Sequence, residues 1–309
     1  MSKYAEIKKI YARALDPIHI GAGGYRLGRV DNTIVRDPAT DVPKIPGTSI
    51  AGVVREFYTI YLMENDDKCK SKSDDKEKRV CAEEEVEKIF GSKPESQQTK
   101  KGTLRFYDGQ IIFFPVSSVQ GTVWITTKEL LEYWFEKVKD KNGENLKIPE
   151  KIKDKAYAVK GRVNISKPLN LGWLLLEIEN ISNGKDIVLP EKIEDWVSRI
   201  VAVSDKLFSH IINDNLEIRT SVRINPETGT AEEGALFTYE AIPRGTILGF
   251  EVGVDKCKNN KIEIRRIIDA VMPYFKLLGI GGMGTKGFGR LELKIENSND
   301  EKQTSEGGN

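Results

Sequence analysis

The stretch from Asp16 to Arg55 does most to limit what this chain can fold into: DPIHIGAGGYRLGRVDNTIVRDPATDVPKIPGTSIAGVVR. An apolar run from Ile7 to Leu15 reaches a turn at Asp16-Pro17 and gives way to a loop holding Gly21, Gly23, Gly24 and Gly28. Short β-like pieces surround Val30 and Val35, and a turn at Pro46-Gly47 delivers Thr48 and Ser49 to a helix start. Glycine has no Cβ, so such a loop lets main chain come close to a ligand. Ser or Thr ahead of an apolar-periodic run is an N-cap signal, and a helix N-terminus offers unpaired N–H groups to a phosphate. Asp31 lies between these features, flanked by Arg26, Arg29 and Arg36. It is either half of a turn pair with Asn32 or a working carboxylate set among cations.

The rest of the chain alternates strand-like and helix-like segments. Residues 4–15 read as a strand. Ile50, Val53, Val54, Phe57, Ile60 and Tyr61 recur at helical spacing, which predicts a helix over 49–63. Residues 64–101 carry nearly balanced charge and read as a solvated, partly disordered insertion with a short helix from Glu83 to Phe90. LRFYDGQIIFFPVS predicts two strands joined by a hairpin turn at Asp108-Gly109. VWIT is a strand, 128–137 a helix, 138–160 an exposed Lys- and Glu-rich segment, and 171–181 a strand. After Pro190, the stripe Ile193, Trp196, Val197, Ile200, Val203, Leu207, Phe208 and Ile211 predicts one long helix, with His210 near its end and without a role. Residues 216–242 read as a β-hairpin with Arg219 and Arg223 on its first arm and NPETGTAEE at a projecting tip. A strand at 246–254, a helix at 264–278 kinked at Pro273, and the strand LELKI complete the pattern. The tail from Asn297 is polar and reads as disordered. The strands lack the crossovers of a doubly wound sheet, so the expected class is α+β, helices layered on an antiparallel sheet.

Composition narrows the function classes. With 31% charged residues but a net charge of +1, any nucleic-acid surface has to be a local patch. Cys69, Cys81 and Cys257 form no CxxC pair and read as reduced thiols in a cytosolic protein. No signal peptide or run of the ~20 apolar residues that span a bilayer is present, so a cytoplasmic protein without membrane contact is expected. HxH, HExxH, CxxC, GxSxG and GxxxxGK[ST] patterns are all missing. Gly279, Gly281 and Gly284 make a GxGxxG pattern, but a helix precedes it and a strand follows, the reverse of a dinucleotide site. Two readings remain for that loop: a plain helix-to-strand turn, or a glycine loop laid on a nucleic-acid backbone with Lys286 and Arg290 supplying charge. His19 is either a polar loop residue or part of the same site as Asp31.

Five segments together resemble one family: IHIGAGGYRLGRVDNTIVRD, IPGTSIAGVVRE, FFPVSSVQGTVWIT, RINPETGTAEEGALFTYEAIP and GIGGMGTKGFGR. The chain resembles the RAMP superfamily of CRISPR proteins, and within it the backbone subunit of type III effector complexes, with the third segment closest to the Cmr-type (III-B) branch. The resemblance implies one RAMP domain over 1–296: a ferredoxin-like, RNA-recognition-like palm, the insertion 64–101, the exposed segment 138–160 and a thumb hairpin at 216–242, followed by the tail 297–309. It implies a subunit that stacks head to tail on CRISPR guide RNA and cuts bound complementary single-stranded target RNA at regular intervals. Its further partners are a large polymerase-like subunit, a small helical subunit and capping RAMP subunits.

By position, the family's catalytic aspartate falls on Asp31, which would also hold a divalent cation, Mg²⁺ or Mn²⁺; its loop histidine falls on His19. RNA contacts are implied at Gly23, Gly24, Arg26 and Arg29, at Lys44, Gly47, Thr48, Ser49 and Arg55, and at Arg219 and Arg223. The last segment adds Gly281, Gly282, Lys286 and Arg290, and thumb positions fall on Ile224, Thr230, Leu236 and Phe237. Ala51 and Ser117 stand where relatives often carry basic residues. A scaffold without cleavage, a guide-processing endonuclease and a plain RNA-recognition module are the competing functions.

Overall fold

The computed structural model describes residues 5–23, 30–92, 100–135, 149, 154–181, 186–256 and 262–296. The expected tail, Cys257, and most of the exposed segment 138–160 lie outside them. The chain runs β1 (Ala5–Ala14), β2 (Lys44–Ile45), α1 (Gly47–Asn65), α2 (Asp67–Lys70), α3 (Asp75–Phe90), β3 (Leu104–Phe106) and β4 (Gly109–Val116). It continues through β5 (Val123–Thr126), α4 (Lys128–Phe135), β6 (Lys155–Lys160), β7 (Leu169–Leu171), β8 (Leu174–Asn180), α5 (Glu191–Glu194) and β9 (Ile200–Ala202). The last part is α6 (Asp205–Asp214), β10 (Glu217–Ile224), β11 (Ala231–Ala241), β12 (Ile247–Asp255), α7 (Ile264–Leu277) and β13 (Leu291–Ile295).

Two split β-α-β units interleave to make the palm. β1–α1–β3/β4 and β12–α7–β13 give the sheet order β13-β1-β12-β4, every neighbour antiparallel. That is the ferredoxin-like arrangement. α1 and α7 cover one face: Ile50, Val54 and Phe57 of α1 share a core with Ile267, Ile268, Val271 and Phe275 of α7. α4 covers the other, where Leu131 and Trp134 pack with Tyr11, Ile112 and Phe113. Covered on both faces, β4 reads as the unbroken apolar run Ile111 to Phe114, all buried. The sheet then extends through β5, β9, β6, β8 and β7, with β5–β9 and β6–β8 parallel. The hairpin β10–β11 stands apart as its own two-stranded sheet.

Several expectations are corrected. The long helix after Pro190 is instead α5, β9 and α6. Ile200, Val201 and Ala202 are wholly buried between β5 and β6. An apolar run of that length satisfies strand and helix templates alike. Burying each large apolar side chain is worth about 1.5–3 kcal/mol, which outweighs local helix preference. Ser204 then starts α6 by accepting a hydrogen bond from the Leu207 N–H.

The Asp108-Gly109 pair is no hairpin turn. β3 and β4 both pair antiparallel with β12, in one direction, so the pair is an irregularity along one strand path. The insertion is ordered where it is described: Asp66 and Asp74 cap α2 and α3, and α3 packs Cys81, Ala82 and Val86 into the main core beside α1. Cys69 and Cys81 are a buried disulfide, not free thiols, because their Cα atoms stand 5.4 Å apart across the α2–α3 corner. Residues 155–160 of the supposedly exposed segment form β6, with Ala156 and Val159 buried. The strand expected at 171–181 is present as β8 but begins at Leu174; Leu171 belongs to β7, which pairs with β8 across a turn at Gly172, φ +65°. α7 runs on through Pro273. No described helix is long and apolar enough to cross a membrane.

Candidate catalytic carboxylate and nucleic-acid interface

The segment between β1 and β2 is stitched to the root of the thumb. Ile18 and Ile242 exchange both backbone hydrogen bonds. Further along, the Asn32 N–H donates to the Thr238 carbonyl and the Glu240 N–H donates back to the Asn32 carbonyl, each at 3.0 Å. This short parallel pairing lays Asp31 against β11. The Asp31 N–H donates to Thr238 Oγ1 at 3.0 Å, while the Thr238 N–H and hydroxyl both donate to Asp31 Oδ2 at 2.8 Å. The side chain is exposed, and Oδ1 takes no hydrogen bond among the described residues. The Thr238 N–H, and after it the Thr238 hydroxyl, hold the Asp31 carboxyl below the usual carboxylate range.

Beneath Asp31 lies a buried polar clasp. Arg36 Nη2 donates to Glu240 Oε1 at 2.6 Å, and Glu240 Oε2 accepts the Ile34 N–H at 3.1 Å. Arg36 also reaches Asn213 on α6 at 3.0 Å. His19 is buried. Its Nδ1 meets the Glu240 carbonyl at 2.7 Å, and since a carbonyl only accepts, Nδ1 carries the proton. The His19 carbonyl accepts the Gly282 N–H at 2.9 Å, which docks the C-terminal glycine loop on the same spot. Gly281 sits at φ +89°, and a Cβ there would lie 2.5 Å from the His19 carbonyl oxygen. Only glycine meets both demands. Tyr239 bridges the two loops: His19 packs edge-on against its ring and Lys286 Nζ lies 5.3 Å above it.

Asp31, His19, Gly281, Gly282 and Lys286 are thus brought together at the thumb's root, although they are far apart in sequence. Thumb residues Ile224, Thr230, Leu236 and Phe237 are all exposed, Leu236 by 61%, and Val222 faces Leu236 across the strands. Other expected contacts are engaged within the chain. Lys44 is ion-paired with Asp108 at 2.7 Å and Asp37 at 3.5 Å; Arg290 with Asp16 at 2.5 Å; Arg223 with Glu232 at 3.6 Å. Arg219 pairs with Glu217 at 2.6 Å and lies over the Phe288 ring. Arg55 is half-buried, its Nη2 without a hydrogen-bond partner among the described residues. Gly23 is exposed, with φ +72° and open space around it. Gly24, Arg26 and Arg29 lie outside the described residues.

The start of α1 differs from expectation. Thr48 and Ser49 are not caps; the helix begins at Gly47 behind Pro46, with no side-chain cap on its own segment. The Gly47 N–H donates to Asp108 Oδ1 at 2.8 Å, so the anion seat at this helix end is filled by the protein's own carboxylate. Lys44 and the Gly47 N–H together hold Asp108 below its ordinary pKa. Gly47 itself is required by packing, since a Cβ would lie 2.4 Å from the Phe106 carbonyl oxygen. Sequence reasoning missed Asp108, Thr238 and the Arg36–Glu240 clasp. Asp108 was hidden by its turn-like neighbour Gly109; the others carry no local signal.

Among the described residues, no three His, Cys, Asp or Glu side chains gather as a metal cage. One exposed carboxylate with one open oxygen fits a different arrangement: Mg²⁺ commonly takes one or two protein carboxylates and completes its shell with phosphate and water.

A sequence profile of the RAMP superfamily matches residues 11–292. The chain belongs to the RAMP superfamily. Among its relatives is the CRISPR system Cmr endoribonuclease Cmr4 of Pyrococcus furiosus, 30% identical over 301 residues, covering 92% of this chain and 95% of that one. The CRISPR system Cms endoribonuclease Csm3 of Methanothermobacter thermautotrophicus is 22% identical, over 90% of this chain and 78% of that one. Similar solved RAMP folds include a chain of the type III-B Cmr-beta complex in its apo state, TM-score 0.66 at 19% identity, covering 94% of this chain and 98% of that one. Oligomeric Cmr4 from Pyrococcus furiosus follows with TM-score 0.56 at 20% identity, covering 95% of this chain and all of that one, 100%.

Proposed function

We propose that this RAMP protein is a Cmr-type backbone subunit that lies along a CRISPR guide RNA and cleaves complementary target RNA beside its thumb. The observation that carries the reading is an exposed, oriented carboxylate, Asp31, at the root of a hairpin whose apolar side chains face solvent. The relative Cmr4 is named an endoribonuclease, and a similar fold occurs in a Cmr-beta complex bound to cognate target RNA. Oligomeric Cmr4 crystals support stacking of copies, a heterologous contact that repeats along a filament. The large, small and capping subunits of a type III complex complete the partners, in the cytoplasm.

Exposed apolar thumb residues suit insertion between bases, which unstacks a nucleotide and relaxes the A-form geometry around it. The 2′-oxygen can then come in line with its own phosphorus. As the 2′-oxygen bonds to phosphorus, the bond to the 5′-oxygen breaks; the 2′-proton passes to solvent and the 5′-oxygen takes one up. The products are a 2′,3′-cyclic phosphate and a 5′-hydroxyl. Asp31 is held ionised, so it is a weak base near neutral pH and better suited to holding Mg²⁺ or Mn²⁺ at Oδ1. A cation held there by Asp31 would supply positive charge at the phosphate. Lys286 adds charge beside the same strand, and His19 supports the loop.

The test is Asp31→Asn in a complex reconstituted with guide RNA and the other subunits. Guide and target binding should persist while cleavage in Mg²⁺ falls at least about 100-fold, equivalent to about 2.7 kcal/mol of barrier. Unchanged cleavage would reduce the assignment to a scaffold that binds RNA without cutting it.

A further inference from the structure

A carboxylate that holds a cation has to present one oxygen in a fixed direction, and an exposed aspartate on a loop does not do so unaided. Thr238 supplies the restraint from three directions. Its hydroxyl accepts the Asp31 N–H, and its own N–H and hydroxyl both donate to Asp31 Oδ2. The donor arithmetic closes, since one hydroxyl hydrogen is given and one lone pair is used. With Oδ2 committed twice, Oδ1 is the oxygen left for a ligand. Thr238 belongs to β11, the strand that also carries Leu236 and Phe237 to the exposed part of the hairpin.

We infer that Thr238 is the positioning residue of the cleavage site, gripping Asp31 Oδ2 so that Oδ1 faces the scissile linkage, and coupling that orientation to the seating of the thumb. This rests on the nuclease reading above. A purely structural role predicts something else. The contact is exposed, and the two hydrogen bonds of the Thr238 hydroxyl add only a small net stability. Loss of an outer partner that orients a metal-holding group typically costs 10–100-fold in metal affinity or activity, about what is expected here.

The experiment compares Thr238→Val and Thr238→Ser with Asp31→Asn in the reconstituted complex. Thr238→Val keeps the backbone N–H and the branched shape but removes the hydroxyl. It should melt within about 4 °C of wild type, bind target normally and cut about 10–100-fold more slowly. Thr238→Ser restores the hydroxyl and should recover to within about threefold of wild type. A second readout avoids activity altogether. A ¹³C-carboxyl titration of the full-length chain, with the Asp31 resonance identified by its loss in Asp31→Asn, should show its pKa rising in Thr238→Val and not in Thr238→Ser. Wild-type cleavage by Thr238→Val, with Asp31→Asn inactive, overturns the positioning role and leaves the nuclease reading intact. Normal cleavage by Asp31→Asn removes both. Equal slowing in the Ser and Val variants, or an Asp31 titration that does not move in Val, also overturns the inference.

Discussion

Replacing Arg36 by Met should show how much the buried clasp under the thumb contributes. Its side chain is 16% exposed and that of Glu240 is 10% exposed, so the ion pair is nearly shielded from water. Met preserves the stem but removes the guanidinium, leaving Glu240 Oε1 without its 2.6 Å partner. Stranding one member of a buried pair costs about 3–5 kcal/mol. The residual exposure and the remaining Ile34 N–H on Oε2 favour the lower end, about 3 kcal/mol. At roughly 2–4 °C per kcal/mol for a domain this large, Tm should fall by roughly 6–12 °C in differential scanning calorimetry. Adding Glu240→Met should recover about 1–2 kcal/mol of that loss, because apolar replacement of both partners is often near neutral. The Ile34 N–H, then orphaned, keeps about 1–2 kcal/mol of it. A single variant melting within 2 °C of wild type, or a double variant worse than the single, would show that the clasp does not fasten the loop to β11.

Two further outcomes follow from the fold. Reduction of Cys69–Cys81, or Cys69→Ser, should lower stability by about 3 kcal/mol, the loop-entropy value for a ring of this size, read as a dithiothreitol-dependent fall in Tm that the Ser variant no longer shows. Asp108 is depressed by Lys44 and the Gly47 N–H, so it contributes stability above the unfolded aspartate pKa, about 3.9, and loses it as pH falls through its lower folded value. Asp108→Asn should therefore melt below wild type at pH 6, with the gap closing as the pH is taken from 4 toward 2.

The palm was largely legible because its elements carry strong periodic patterns. α1 and α7 each bury one face, and the strands of the central sheet are flanked by turns. The segment 190–214 was not legible: a buried strand and a helical stripe share the same apolar spacing, and only the neighbours β5 and β6 decide between them. In the site, Asp31 stood out by its company, and the glycine loop by its composition. Thr238 and Glu240 could not be found in the same way. Threonine and glutamate within an amphipathic hairpin are ordinary residues until the loop 207 residues away is laid beside them. The helix start is not legible locally: Ser and Thr carry the cap signal, but a carboxylate 61 residues downstream takes that place.

The interleaving of the two palm halves has a consequence for the chain while it is being made. Asp31 leaves the ribosome 207 residues before the Thr238 hydroxyl that grips it, and His19 earlier still than the glycines at 281 and 282 that dock on it. A nascent chain therefore carries the acid without its holder for most of that interval, and the carboxylate is oriented only once the later palm half has emerged.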